Sequence, residues 1–173
     1  VAKDVVSKAP DLLFIEYSIN DYYDSASYDR AQMQFETIVR AVKTAYPNCD
    51  IVTVLVSDYG TINSARQNKL HLQAQAHDDI CKAYNIPSIY VGGALAEALG
   101  EDWVKQSNYG NDNVWKQYVK DIVHPLDAGY EIYFNVIKEF LNNELNYGEY
   151  DGTIKTNPMP EIQNKNKCLL DGN

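Results

Sequence analysis

An aspartate and a histidine lie three residues apart in the segment Asp121-Ile122-Val123-His124-Pro125, just ahead of a helical pattern. In a loop, a carboxylate at this spacing can bond one nitrogen of the imidazole. An acid that holds the ring while its other nitrogen takes a proton from a hydroxyl is the arrangement of serine hydrolysis. Loop histidines before proline are also common on protein surfaces, so the segment alone leaves both interpretations open.

An amide and a carboxylate, Asn20 and Asp21, come soon after the apolar residues 12–17. Such a short, nearly continuous apolar run is typical of a strand covered on both faces. Asn20 would then lie at the carboxyl edge of a sheet, where its side chain can donate a hydrogen bond to a developing oxyanion. Alternatively, Asn20 and Asp21 only turn the chain and cap the next helix.

The elements that must position these residues alternate between strand and helix patterns. Short runs rich in apolar or β-branched residues predict strands, and apolar residues at spacings of three or four predict helices. The predicted strands are residues 12–17, 50–57 and 87–91, and the predicted helices include residues 28–46, 63–84 and 127–145. This alternation predicts an α/β fold with a parallel sheet covered by helices on both faces. Residues 1–8 have the pattern of the last turns of a helix, so we expect a further segment upstream.

The order of these motifs resembles the later half of the SGNH/GDSL hydrolase family. Ser18-Ile19-Asn20-Asp21 is similar to the family's GxND block, and Asp121-x-x-His124-Pro125, followed by Gly129-Tyr130, is similar to its closing DxxHP block. The resemblance covers residues 1–145. It implies that Asn20 is an oxyanion-hole donor, His124 the general base and Asp121 the residue that orients it, with Ser18, Asp21 and Tyr22 lining the substrate site.

The nucleophile of that family is missing from the sequence, which contains no Gly-Asp-Ser. Ser18 also stands where the family usually has glycine, and its side chain is expected to narrow the pocket. Ser18 and Ser57 end predicted strands, but neither occupies a Gly-flanked strand-to-helix turn of the nucleophile-elbow type. We therefore expect the nucleophilic serine upstream of Val1, and the chain alone to be inactive.

The resemblance also implies an architecture and a set of partners. It implies a three-layer α/β/α, flavodoxin-like sheet over residues 1–145 that lacks one or more N-terminal strand-helix units, with residues 146–173 as a polar tail or linker. The apolar edge left by a missing strand invites pairing, so an N-terminal segment or a second chain is expected to complete the sheet. The implied substrate is a small ester or an acylated carbohydrate, and neither a metal nor another cofactor is needed.

Composition narrows the possible partners. The 24 acidic and 15 basic residues give a net charge of −9 without a basic patch, which disfavours nucleic acid. No apolar run is long enough to span a membrane.

The cysteines and histidines do not predict a metal site. The three cysteines form no CxxC pair, and His71 and His77 are six residues apart, which does not fit a shared metal site on a helix. Both histidines are expected on a solvated surface. The compartment stays open, with an extracellular or cell-surface location suggested by the resemblance alone.

Two functions from different classes follow from the sequence. The first is a serine esterase whose nucleophile precedes this chain. The second is a saccharide-binding or structural module that keeps the scaffold without the nucleophile and uses the tyrosine-rich segment around Tyr22 as a stacking platform. A Gly-Asp-Ser encoded before Val1 would favour the enzyme.

Overall fold

Strands and helices alternate in the computed structural model of the protein, which describes residues 3–144 and 158–163. The strands β1 (Leu12–Ile15), β2 (Asp50–Leu55) and β3 (Ser88–Tyr90) form a parallel sheet in the order β1-β2-β3. The α-helices in the described residues are α1 (Ser18–Tyr23), α2 (Tyr28–Ala45), α3 (Ile62–Arg66), α4 (Leu72–Ala83), α5 (Val91–Ala98), α6 (Trp115–Tyr118) and α7 (Asp127–Glu144). The predicted α/β class with a parallel sheet is confirmed.

The described chain divides into two compact units. The first contains residues 3–54, 72–88 and 158–163, and the second contains residues 55–71 and 89–144. Of the predicted tail, only residues 158–163 are described, and they contact α2. The Arg40 guanidinium donates to the Pro160 carbonyl (3.0 Å), and the backbone amide of Gln163 donates to the Glu36 carboxylate (2.8 Å). The rest of that predicted tail lies outside the described residues.

The core of the first unit is built around α2. This helix begins where the Ser27 side chain accepts a hydrogen bond from the Arg30 amide (3.3 Å), an ordinary N-cap. Its residues Phe35, Val39 and Val42, spaced by four and three, are completely buried. They pack with Ile15, Ile51, Ile80 and Cys81 in one hydrophobic cluster. Each such side chain contributes about 1.5–3 kcal/mol to the stability of the fold when it is fully buried. The residues at helical spacing in the sequence are therefore the ones that stabilise the core of this unit.

The core of the second unit is rich in aromatic residues. Tyr59, Trp103 and Trp115 are buried together with residues of α3, α5 and α6. The Tyr59 ring meets the edge of Trp115 at a centroid distance of 5.0 Å and an interplanar angle of 71°. This edge-to-face arrangement is a favourable geometry for aromatic pairs. The Trp115 indole also donates to the Asp121 carbonyl (2.6 Å), so this core contacts the segment that carries Asp121 and His124.

The predicted helix over residues 63–84 is wrong, because the structure has two helices, α3 and α4, there. Asn68 adopts a positive φ of 55°, which ends a helix and which asparagine tolerates better than most residues. The amides of Asn68 and Lys69 bond back to the carbonyls of Ala65 (2.8 Å) and Ser64 (2.9 Å), closing the last turn of α3. At the N-terminus, residues 6–8 form a single 3₁₀ turn rather than the end of an α-helix.

Strand β1 is shorter and less covered than expected. It ends at Ile15, and the amides of Asn20 and Asp21 bond to the Tyr17 carbonyl (3.1 and 3.3 Å), so that α1 begins at Ser18. Leu12 and Phe14 are 45% and 39% exposed, whereas Ile15 is buried. The expectation that both faces of this strand are covered is therefore wrong for the face that carries Leu12 and Phe14. In β2, every residue after Asp50 is buried, as expected for a covered strand.

Candidate active site

The acid and the base predicted from the sequence are in contact in the second unit. Asp121 Oδ2 lies 2.9 Å from Nδ1 of His124, and Asp121 Oδ1 accepts hydrogen bonds from the amides of Val123 and His124, both at 2.9 Å. The backbone bonds from His124 and Val123, together with the His124 ring, lower the pKa of Asp121 to about 2. Asp121 is therefore a carboxylate at neutral pH.

The charge of Asp121 determines the tautomer of His124. A carboxylate only accepts hydrogen bonds, so Nδ1 of the imidazole must be the donor, and in the neutral ring Nε2 is left without a proton. The His124 side chain is 74% exposed, against 34% for Asp121. The pair can thus present an unprotonated ring nitrogen to solvent, which is the geometry a general base needs.

The loop that carries the pair is a short hairpin between α6 and α7. Val119 and Pro125 form an antiparallel bridge, the Lys120 amide donates to the His124 carbonyl (2.8 Å), and the Leu126 amide donates to the Tyr118 carbonyl (2.8 Å). Because the bonds connect both sides of the hairpin, the backbone of Asp121 and His124 is held at its two ends.

Gly129 allows α7 to begin directly against this hairpin. A Cβ at Gly129 would lie 2.3 Å from the Tyr118 carbonyl oxygen, a distance that side chains do not reach without displacing the backbone. The family resemblance included Gly129, and the structure gives its physical reason. Only glycine permits α7 to approach Tyr118 so closely, and the carbonyl of Tyr118 is the one that accepts the hydrogen bond from Leu126.

The other predicted site residues all lie in helix α1 of the first unit, and they are Ser18, Asn20, Asp21 and Tyr22. Asn20 is exposed, Tyr22 is half-buried, and the ring of Tyr22 meets that of Tyr23 at 5.5 Å in an edge-on arrangement. Ser18 and Asp21, by contrast, are completely buried. The Ser18 and Asp21 side chains are thus closed off from solvent, whereas Asn20 and Tyr22 remain accessible. That these residues line a substrate site stays a prediction.

Asp21 instead pairs with a histidine that sequence reasoning placed on the surface. Its Oδ2 lies 2.8 Å from Nε2 of His77, and the two side chains are 1% and 0% exposed. The His77 ring stacks on Phe35 at a centroid distance of 4.3 Å and lies parallel to Tyr17 at 6.4 Å. The pair ties α1 to α4, so it fixes the helix that carries Asn20.

The expectation of solvated histidines is wrong for both His71 and His77, which are 7% and 0% exposed. One signal in the sequence pointed the other way. His77 lies three residues after Ala74 and three before Ile80, which places it on the apolar face of α4. A polar residue on such a face is buried with a partner, but the sequence does not say that the partner is Asp21, 56 residues away.

Ser57, which follows β2, is also buried. Its hydroxyl lies 3.2 Å from that of Tyr90, and a Cβ at Gly92 would approach it to 2.4 Å. The start of α5 therefore covers this serine closely. An exposed nucleophile at a sharp turn has neither property, in agreement with the view that Ser57 is not the nucleophile.

The structure is thus an α/β protein with a parallel sheet, in which a loop of the second unit carries a histidine oriented by an aspartate. In the structural comparison, the fold is similar to that of a two-domain esterase active on acetylated mannans, with a TM-score of 0.67 and 22% identity over 93% of this chain and 38% of that one. The same esterase co-crystallised with mannopentaose gives a TM-score of 0.65 and 23% identity over 94% and 37%. The chain thus spans just over a third of the length of those esterases.

At the level of sequence, residues 2–132 match the GDSL-like Lipase/Acylhydrolase family. Since the match covers most of the chain, the protein belongs to that family. No curated protein sequence is detectably similar to it. In the described residues, no helix is both long and apolar enough to cross a bilayer.

Proposed function

We propose that this chain is part of a serine ester hydrolase in which His124 is the general base and Asp121 orients it. The observation that carries the proposal is the bond between an ionised Asp121 carboxylate and Nδ1 of His124, which leaves Nε2 free to take a proton. Membership of a family of lipases and acylhydrolases supports it. The nucleophilic serine is proposed to lie upstream of Val1, because no Gly-Asp-Ser occurs in the 173 residues.

The proposed reaction has two halves. Nε2 of His124 takes the proton of the serine hydroxyl as its oxygen attacks the ester carbonyl, and the carbonyl oxygen becomes an oxyanion. The exposed side-chain amide of Asn20 is the proposed donor of a hydrogen bond to this oxyanion. One such donor typically contributes a factor of about 10²–10³ to the rate. His124 then protonates the departing alcohol, leaving an acyl-enzyme. In the second half His124 takes a proton from water as the water oxygen attacks the acyl carbon. His124 then returns that proton to the serine oxygen as its bond to the acyl carbon breaks and the acid is released.

The proposed substrate is an acetyl or other small ester on a carbohydrate. The two-domain esterase with this fold is active on acetylated mannans, which supports a carbohydrate ester for this chain. The tyrosines beside Asn20 support it as well, because Tyr22 and Tyr23 offer aromatic rings next to the proposed oxyanion donor. Aromatic rings bind the apolar faces of sugars, while the polar rims of the same sugars bond to nearby side chains.

A further segment is proposed to pair with the edge of β1. This strand lies at one end of the order β1-β2-β3, and its Leu12 and Phe14 side chains are substantially exposed. An open apolar edge strand is a site for pairing with another strand. The segment that contains the nucleophile is the proposed occupant, with a second chain as the alternative.

Labelling with a serine-directed fluorophosphonate tests the assignment. We expect the longer polypeptide encoded by the same gene to react at a serine upstream of Val1, and the 173-residue chain to remain unlabelled. His124→Gln in the longer polypeptide should abolish labelling and lower kcat for an acetyl ester by roughly 10⁴-fold. Lys120→Ala is the matched control, because it removes an exposed side chain of the same hairpin and should leave both readouts unchanged.

Each result of the labelling experiment supports or removes one part of the proposal. Full activity of His124→Gln would show that His124 is not the base. If the short chain is labelled, the mapped serine replaces the upstream nucleophile. If neither polypeptide reacts, the saccharide-binding module becomes the better explanation, and binding of acetylated mannan to the longer polypeptide becomes the relevant measurement.

A further inference from the structure

A buried carboxylate outside the proposed catalytic pair accepts hydrogen bonds from four residues of the second unit. Asp112 is 2% exposed. Its Oδ1 accepts from the Trp115 amide (3.0 Å) and the Trp103 indole (3.0 Å), and its Oδ2 accepts from the Tyr59 hydroxyl (3.0 Å) and the Gln106 amide (3.3 Å). Asp112 thereby joins α6 to the chain after β2 and to the loop before α6.

The charge on Asp112 depends on these donors. Burial by itself would raise the pKa of Asp112, but the bonds from Trp115, Trp103, Tyr59 and Gln106 outweigh it and hold the pKa below its ordinary value. In turn, burial and the bond to Asp112 raise the pKa of Tyr59 to about 12. At neutral pH the group is an ionised carboxylate facing a neutral phenol, and each donor is aimed at a charge.

Two of the four donors also bond the loop that carries the acid and the base. The indole Nε1 of Trp115 donates to the Asp121 carbonyl (2.6 Å), and the amide of Tyr59 donates to the Ile122 carbonyl (2.8 Å). Trp115 and Tyr59 are also packed edge to face and are 0% and 7% exposed. Asp112 thus bonds the Tyr59 hydroxyl and the Trp115 amide, while the Tyr59 amide and the Trp115 indole bond the loop.

We propose that Asp112 is a positioning residue for the Asp121–His124 pair, acting through Trp115 and Tyr59 on two consecutive carbonyls of the loop. This inference rests on the proposed function, in which His124 is the general base. Asp112 bonds neither the imidazole nor Asp121 itself, and its role is to set where the Asp121 backbone lies. Because both oxygens of Asp121 bond the backbone or the ring of His124, a shift of that backbone moves the ring.

The size of the effect follows from the demand of catalysis on geometry. A displacement of about 1 Å from the reactive arrangement can cost on the order of 100-fold in rate, even when the cause is distant from the reacting atoms. Asp112→Asn replaces one of the two carboxylate oxygens by an NH₂ group, which donates hydrogen bonds instead of accepting them. Depending on which oxygen it replaces, this group would face the donors of Tyr59 and Gln106 or those of Trp103 and Trp115. The loop then loses the support of at least one of its two anchors, while the binding of substrate to other parts of the site is left in place.

The test compares Asp112→Asn with Asp102→Asn, which makes the same chemical change at an exposed aspartate of the same unit. In the longer polypeptide, Asp112→Asn should lower kcat for an acetyl ester by about 10- to 100-fold and change KM much less. Hydrogen exchange of the Val123 and His124 amides, which bond Asp121, should become faster. Exchange in α2, in the other unit, should not change. Asp102→Asn should match the wild type in every measurement.

A milder variant keeps the test decisive if Asp112→Asn does not fold. Tyr59→Phe removes one hydroxyl from the carboxylate and keeps the ring, so kcat should fall by about fivefold, the equivalent of one hydrogen bond. The inference is overturned if kcat is unchanged, or if exchange accelerates equally in α2 and in the loop, since that would indicate a purely structural role. Absence of esterase activity in the wild type would remove the proposed function, and the exchange measurement would still decide whether Asp112 orders the loop.

Discussion

The buried pair of Asp21 and His77 gives the sharpest prediction about stability. His77→Leu places an apolar side chain of similar size against Phe35 and removes the ring nitrogen that lies 2.8 Å from Asp21 Oδ2. The Asp21 carboxylate would then lose its imidazole partner at a position with no exposure to water. Asp21→Leu makes the reciprocal change and leaves Nε2 of His77 buried without the carboxylate.

The expected magnitude follows from the contacts of the pair. A hydrogen bond to a charged group contributes about 1.5–3 kcal/mol, and an aromatic stack contributes a further ~0.5–1.5 kcal/mol. Removing one partner of a buried pair costs about 3–5 kcal/mol, because the remaining group is desolvated. We therefore expect His77→Leu to lower the free energy of unfolding by about 3–4 kcal/mol, and Asp21→Leu by a comparable amount. The double variant replaces the pair by apolar groups and should cost much less than the sum.

Urea unfolding followed by far-ultraviolet circular dichroism measures these free energies. Ala83→Leu is the matched control, since it introduces the same side chain at an exposed position of the same helix. A coupling energy of about 2 kcal/mol or more between the two positions is expected, well above the ~0.5 kcal/mol within which independent sites add. Additive effects of the two substitutions would refute the view that this pair holds α1 against α4.

Two further predictions concern the loop of the second unit. Because the pKa of Asp121 is lowered to about 2, below its ordinary 3.8, its contribution to stability is present above pH ~4 and is lost as the pH falls toward 2. The difference in unfolding free energy between the wild type and Asp121→Asn should therefore shrink over that window, and a difference independent of pH would contradict the assigned hydrogen bonds. Gly129→Ala places a Cβ against the Tyr118 carbonyl and should destabilise the protein by about 1–3 kcal/mol in thermal unfolding, whereas an unchanged melting temperature would show that α7 does not need this approach.

Much of the architecture was accessible from the sequence because it depends on local pattern. The apolar spacing of Phe35, Val39 and Val42 predicts α2, and the β-branched run of residues 50–55 predicts β2, because periodicity reports which side chains share a face. The pairing of Asp121 with His124 was also accessible, since they are only three positions apart and a loop allows the contact. The break at Asn68 was missed, although an asparagine between two helical patterns is a helix-ending signal.

The tertiary structure decided which residues are buried and which partners they meet across long sequence distances. The bond of Asp21 to His77 joins residues 56 apart, and that of Tyr59 to Asp112 joins residues 53 apart. The burial of Ser18 likewise depends on how α1 packs, and not on its neighbours in sequence. The sequence by itself determined the alternating elements and the local acid–base pair, because backbone periodicity and short spacing are local properties. The buried polar contacts that hold Asn20 and His124 in place arise only when distant segments pack together and exclude water, which makes partners of groups that the sequence keeps apart.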